Sequence, residues 1–307
     1  MCKQPLLSSN NKTTMAANKT AQCFSRQFTS IASSLISTVS CRNIRPPVTS
    51  LSRLIHVATP KVNMADKLYI SETPDEVKNA KGLHLLTMNT PNGQAVQIFL
   101  EELAQEYKTE WTTTLIDIST NEQKKEWFLR LDPNGRIPVL IDNSQKPPFT
   151  VHETSAELLY LEKLVDKDDI FGFKDPLERN EALQWLFFWH GSGAPYQGQT
   201  NHFTRQAPEK IEYAINRFRN ETLRVYGVLE IRLSGKYTGE PRDYLAGKGT
   251  GKYSIADIKT WPWINLWERS GFTHEEMKSF PHLLKWVDRI AARKAVQQGI
   301  GKAYIKN

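Results

Sequence analysis

Three short stretches of this chain carry residue types that can do chemistry. Thr90-Pro91-Asn92-Gly93 puts a hydroxyl and a carboxamide at a turn leading into an apolar-periodic segment, where both can donate hydrogen bonds to an anion. Leu131-Asp132-Pro133-Asn134-Gly135-Arg136-Ile137-Pro138-Val139-Leu140-Ile141 sets an Asn-Gly turn and a proline ahead of a β-branched run that reads as a buried strand. Proline biases Ile137 towards extended backbone, and the Ile137-Pro138 bond is a candidate for the cis form, adopted by only about 5–6% of X-Pro bonds in folded proteins. A cis bond there turns the Ile137 amide and carbonyl outward, where an extended peptide can pair with them. In His152-Glu153-Thr154-Ser155-Ala156-Glu157 the spacing Thr154-x-x-Glu157 predicts a capping box at a helix start. Free N–H groups at such a start suit a carboxylate, and Glu153 just outside it suits an ammonium group. Cys2, Cys23 and Cys41 are the chain's three cysteines and all precede residue 65. Any sulfur chemistry in the rest of the chain therefore needs a thiol carried in by a ligand.

Charge divides the chain the same way. Residues 1–65 hold eight Lys/Arg and no acid, which leaves 32 basic residues against all 33 acids beyond them. The excess of +7 belongs to a leader and not to a folded basic face, so a nucleic-acid footprint is not expected. The leader is Ser/Thr-rich and carries Arg26, Arg42, Arg45 and Arg53, the composition of a mitochondrial transit peptide. Met64, just ahead of the first acid Asp66, would open a leaderless cytoplasmic form. No apolar run approaches the ~18 residues of a membrane helix. The histidines beyond the leader (84, 152, 190, 202, 274, 282) show no metal-ligand spacing.

The elements that must position these groups follow from periodicity. Leu83–Thr87 reads as a strand, Ala95 to about Tyr107 as an amphipathic helix, Trp111–Asp117 as a second strand and Asn121–Leu129 as a weaker helix. The Ile137-Pro138 segment supplies a third strand and Pro147–Val151 a fourth, followed by the helix after Glu153. Beyond Asp168 the pattern is wholly helical. A helix from Asp175-Pro176 is expected to break at Gly191-Ser192-Gly193-Ala194-Pro195, and another to run from Pro208 with Ile211, Ile215, Phe218, Thr222, Val225 and Leu229 on one stripe. Ser254-x-x-Asp257, with Tyr253 and Ile258 around it, predicts a second capping box with a hydrophobic staple. The expected organisation is a leader over 1–65, an α/β domain over 66–170 and an all-α domain over 175–300.

Several motifs in this order resemble the cytosolic glutathione transferases. Thr90-Pro91-Asn92-Gly93, Pro133-Asn134-Gly135-Arg136-Ile137-Pro138, Leu183-Gln184-Trp185-Leu186-Phe187, Gly198-Gln199-Thr200-Asn201-His202-Phe203 and Tyr253-Ser254-Ile255-Ala256-Asp257 with Trp261-Pro262-Trp263 are similar to the bacterial nu class. Those are the YfcG-type glutathione-dependent disulfide-bond oxidoreductases, with the yeast nitrogen-regulation prion protein a more distant relative. The resemblance covers roughly residues 81–300. It implies an α/β thioredoxin-like N-terminal domain followed by an all-α C-terminal domain, with glutathione as co-substrate, no metal and a homodimeric assembly. It further implies that Asn92 faces the glutathione sulfur with Thr90 beside it, and that Gln123 meets the glycine end. Ile137 would pair with the cysteinyl residue, and Glu153 with Thr154 would hold the γ-glutamyl end. Arg217 would reach the glutathione of the other subunit. The family usually has Glu-Ser where this chain has Glu153-Thr154, which adds a methyl group beside the hydroxyl.

With neither Tyr nor Cys in the Thr90–Asn92 segment, tyrosine- and cysteine-based transferase mechanisms are not expected. The favoured reading is a glutathione-dependent disulfide oxidoreductase with transferase or peroxidase side activity. Two alternatives stand beside it: a transferase conjugating apolar electrophiles in an open aromatic cleft near Trp189 and Tyr196, although those two residues read better as core, and a non-catalytic glutathione-binding regulator.

Overall fold

The computed structural model of the chain describes residues 68–305. The basic leader read as a transit peptide, and the alternative start at Met64, lie outside the described residues. Numbering only the longer helices, the first half runs β1 (Leu83–Thr87), α1 (Pro91–Tyr107), β2 (Trp111–Leu115), β3 (Val139–Asp142), β4 (Phe149–His152) and α2 (Thr154–Val165). The strands lie in the order β2-β1-β3-β4, with β1 parallel to β2 and the other pairs antiparallel. This is the mixed sheet of a thioredoxin-like domain. Every residue of β1 is buried, so its near-continuous Leu-His-Leu-Leu-Thr run fits a central strand covered on both faces. Its one ring nitrogen pair is satisfied locally: His84 Nδ1 meets Thr112 Oγ1 at 2.6 Å and Nε2 meets Thr114 Oγ1 at 3.1 Å, both on β2. The weaker helical stretch after β2 is three short turns, the last at Glu126–Leu129.

The second half is helical: α3 (Pro176–Phe188), α4 (Ala194–Arg205), α5 (Glu212–Leu233), α6 (Ile255–Ile264), α7 (Pro281–Ala291) and α8 (Lys294–Gly299). The helix expected from Asp175-Pro176 is α3, and Asp175 caps it by accepting from the Leu177 and Glu178 amides. Two expectations change. The segment Gly191–Pro195 is not a break, because a π-helical turn over Trp189–Gly193 runs straight into α4. A side chain at Gly193 would overlap the Trp189 ring, its Cβ falling 2.1 Å from the indole, so glycine lets the backbone pass over that buried ring. Helix α5 begins at Glu212, four residues after Pro208. Trp189 is fully buried in the core and Tyr196 is half-buried at 6.3 Å from the Phe218 ring, so the pair does not form an open aromatic cleft.

The same apolar core runs through both halves. Leu85, Phe99 and Leu100 of the α/β part join Tyr226, Trp261 and Trp286 of the helical part. Helices α6 and α8 pack on α1. A bidentate ion pair, Arg293 to Glu102 at 2.6 and 2.8 Å, fastens α1 to the turn before α8, and its guanidinium lies 3.9 Å over the Tyr253 ring. At the start of α6 the Ser254 amide donates to Asp257 Oδ2 at 3.1 Å, closing the predicted box. Asp257 Oδ1 accepts from the Leu245 amide at 3.0 Å and Trp286 Nε1 at 2.9 Å. Burial nevertheless pushes its carboxyl up to about 6, against the pull of these hydrogen bonds. Tyr253 and Ile258 both lie in the core around it. Among the described residues no helix is long and apolar enough to cross a membrane.

Candidate functional site

Six of the seven predicted site residues meet in one cleft of about 360 Å³. Thr90 and Asn92 come from the start of α1, Gln123 from the turn after β2, Ile137 from the loop before β3, and Glu153 and Thr154 from the start of α2. The volume falls at the lower end of the range for small-molecule sites. Arg217 is not among them: it is exposed on α5, outside this cleft.

The start of α1 is organised by Thr90. Its hydroxyl accepts from the Gly93 amide at 3.2 Å, so Thr90 is the N-cap, Pro91 the first helical residue and Asn92 the second. Within the described residues the Asn92 amide has no acceptor, as expected for the first turn of a helix. Gly93 is required by contact, since a Cβ there would lie 2.1 Å from the Met88 carbonyl oxygen. The side chain of Asn92 is held from the other half of the chain. Its Oδ1 accepts from Lys259 Nζ at 3.0 Å and from Trp263 Nε1 at 3.1 Å. Both partners are donors only, which identifies the oxygen and leaves the NH₂ end for the cleft.

Opposite it, the Ile137-Pro138 bond is cis, and among the described residues the Ile137 amide and carbonyl make no hydrogen bond. Asp132 shapes this loop by accepting from the Asn134 and Arg136 amides, each at 3.0 Å. Gln123 is buried, with its Oε1 unpartnered at the cleft wall.

The start of α2 departs from the predicted capping box. The N-cap is Glu153 at φ 72°, and Thr154 is the first helical residue. Left-handed backbone at a non-glycine residue costs about 1–3 kcal/mol and marks a place where geometry is held for a purpose. Glu157 does not return to cap the start. It is completely buried, neither carboxylate oxygen has a hydrogen-bond partner among the described residues, and burial holds its pKa well above the usual carboxylate range. The nearest cation opposing that shift is Lys259, itself 2% exposed and pushed down to about 8 by burial against the attraction of Glu157 and Glu153. The Thr154 and Ser155 amides are thereby left open, and the Thr154 hydroxyl makes no hydrogen bond within the described residues.

Two helix starts thus aim N–H groups into one cleft, across from an unpaired main-chain donor and acceptor. That arrangement suits an extended, anionic, peptide-like ligand. Sequence models of two glutathione S-transferase domains match the chain, the N-terminal one over residues 90–164 and the C-terminal one over 193–294. The chain belongs to the glutathione S-transferase family. It is 37% identical over 219 residues to the disulfide-bond oxidoreductase YfcG of Escherichia coli, covering 70% of this chain and 93% of that protein. A glutathione transferase homolog from Lodderomyces elongisporus, solved with two GSH per subunit, superposes with a TM-score of 0.64 at 36% identity, covering 72% of this chain and 98% of the other. Ure2p in complex with glutathione gives 0.63 at 30% identity, covering 75% and 96%.

Lys259 and Trp263 escaped the reading of site residues. A signal was available: Lys259 falls in a helix whose neighbouring positions are mostly apolar and buried, and lysine is almost never fully buried without a partner. Trp263 stands four residues on, hence on the same helical face. Among the described residues no group of three or more His, Cys, Asp or Glu is placed to hold a metal ion.

Proposed function

We propose that this transferase-family member is a glutathione-dependent disulfide-bond oxidoreductase that works with the thiolate of bound glutathione. The observation that carries the reading is the Asn92 carboxamide, held by its oxygen at a helix start so that its donor end is free for a sulfur anion. The cysteinyl residue pairs with the amide and carbonyl of Ile137. The γ-glutamyl carboxylate lies on the Thr154 and Ser155 amides and the Thr154 hydroxyl, its ammonium faces Glu153, and Gln123 meets the glycine end. In a homodimer Arg217, exposed on α5, is the residue offered to the neighbouring site.

A free thiol with a pKa near ~8.5 is mostly protonated at neutral pH. The helix start, Asn92 and the Thr90 hydroxyl all favour the charged form, lowering that value. The thiolate attacks a disulfide, forming a mixed disulfide with glutathione and releasing one substrate thiolate, which takes up the proton lost earlier. A second glutathione thiolate attacks the glutathione sulfur of the mixed disulfide, yielding glutathione disulfide and the second substrate thiol. One substrate disulfide is reduced and two glutathiones are oxidised. The likeness to a bacterial disulfide-bond oxidoreductase and the two GSH held per subunit in the Lodderomyces homolog support a reaction that uses two glutathiones on a disulfide.

Parallel assays with hydroxyethyl disulfide and a chlorodinitrobenzene-type electrophile test it. Turnover of the disulfide, well above that of the electrophile, is the expected result. The reverse ranking would make the chain a conjugating enzyme, and glutathione binding without either turnover would make it a regulator. The acid-free leader supports a mitochondrial destination for the full chain, which fractionation of cells expressing it would test.

A further inference from the structure

The cleft described above borrows its key side-chain geometry from a lysine that never faces the ligand. Lys259 sits at the middle of α6, almost wholly buried, and its ammonium donates to Asn92 Oδ1 at 3.0 Å across the boundary between the two halves of the chain. Trp263, one turn further along, donates to the same oxygen at 3.1 Å. The charged groups facing Lys259 are Glu157 and Glu153, both of α2 or its cap. The Glu157 carboxyl lies wholly inside the protein and, among the described residues, makes no hydrogen bond. An amide whose oxygen is bound by an ammonium has its N–H bonds polarised, so they donate more strongly on the far side. The indole alone would orient the amide without adding charge.

We propose that Lys259 is a positioning residue for thiol ionisation: its ammonium, acting through Asn92 Oδ1, orients and polarises the Asn92 amide so that a bound thiol gives up its proton. The inference rests on reading the cleft as a glutathione site and adds the residue that controls its reactivity. It leaves the tripeptide's other contacts to α2 and Ile137, so Lys259 should govern ionisation far more than binding.

The test is a spectroscopic pH titration of the thiolate of protein-bound glutathione, run beside calorimetry of glutathione binding. In the parent chain the bound thiol should titrate at least about one pH unit below free glutathione, a tenfold gain in thiolate fraction on the acid side. Lys259→Met should return the midpoint by about one unit and lower disulfide turnover at neutral pH about tenfold, with the glutathione Kd within about threefold of the parent. Lys259→Arg, which keeps the charge and the donors, should restore part of the shift.

Since Lys259→Met leaves Glu157 buried opposite an apolar side chain, the double variant Lys259→Met/Glu157→Gln removes both titratable groups together, so that neither is left buried without the other. It should show the same raised midpoint. An unshifted thiol in the parent, or an unchanged midpoint in a folded variant, would overturn the inference. A variant that loses thermal stability and glutathione affinity with its midpoint unmoved would mark Lys259 as structural only. Absence of glutathione binding to the parent would instead sink the reading of the site itself.

Discussion

Helices α2 and α6 open on the same kind of pattern, Thr154-x-x-Glu157 and Ser254-x-x-Asp257, yet their starts are built in opposite ways. At α6 the acid turns back and collects the amides of Ser254 and Leu245 and the indole of Trp286, so the start is closed and wholly inside the core. At α2 the cap shifts to Glu153 in left-handed backbone, and among the described residues the buried Glu157 carboxyl has no hydrogen-bond partner and the Thr154 and Ser155 amides have no acceptor. A helix start that satisfies its own donors holds the fold together. One that leaves them unpaired has kept them for a ligand, and the chain meets the resulting cost in backbone conformation and in a buried carboxyl.

Removing the acid that closes the α6 start should do the most damage. Asp257→Ala strips the acceptor from three buried N–H donors, each worth about 1–3 kcal/mol when left unmade, so a loss of roughly 3 kcal/mol or more is expected in denaturant unfolding. The open cleft should answer in activity instead. Asn92→Ala is expected to lower disulfide turnover at pH 7 about 100-fold, as for loss of one preorganised donor, while calorimetry still detects glutathione binding. Equal turnover would remove Asn92 from the chemistry.

Glu157→Gln sharpens the contrast through pH. Because burial raises the Glu157 pKa above its usual 4.5, the folded chain holds a proton that the unfolded chain releases, and stability contributed there falls as pH rises through the window above 4.5. The variant lacks that titration. Its stability relative to the parent should therefore climb with pH from about 4.5, by at most about 1.4 kcal/mol per unit, when unfolding is followed at a series of pH values. A flat difference would show that Glu157 is ionised in the folded chain after all. The smallest effect belongs to Ser254→Ala, which leaves Asp257 in place and should cost about 0.5–2 kcal/mol by thermal or denaturant unfolding, with glutathione affinity unaltered.

Much of this architecture was legible before any coordinates. The end of α1 near Tyr107, the four strands, the start of α3 at Asp175-Pro176 and the closed box at Ser254 all follow from local periodicity and capping chemistry. The Ile137-Pro138 bond, a candidate for the cis form, is cis, and so is Lys146-Pro147, which the sequence did not single out. What failed was local as well as distant. The Gly191–Pro195 run carries every sign of a helix break, but a glycine that clears the Trp189 ring lets the chain continue as a π-turn into α4.

The amino-acid sequence alone pointed to residues that line the cleft from the α/β half: turn signals, a strand-opening proline and helix caps act over a few residues and singled out Thr90, Asn92, Ile137, Glu153 and Thr154, while Gln123 came from the family resemblance. Arg217, expected to serve a neighbouring subunit, stands apart on α5. Only the tertiary structure decided how Asn92 is held and which T-x-x-E start stays open. The hold on Asn92 depends on Lys259 and Trp263 arriving from 167 and 171 residues away, and no spacing rule links groups that meet only when two packed layers share one core.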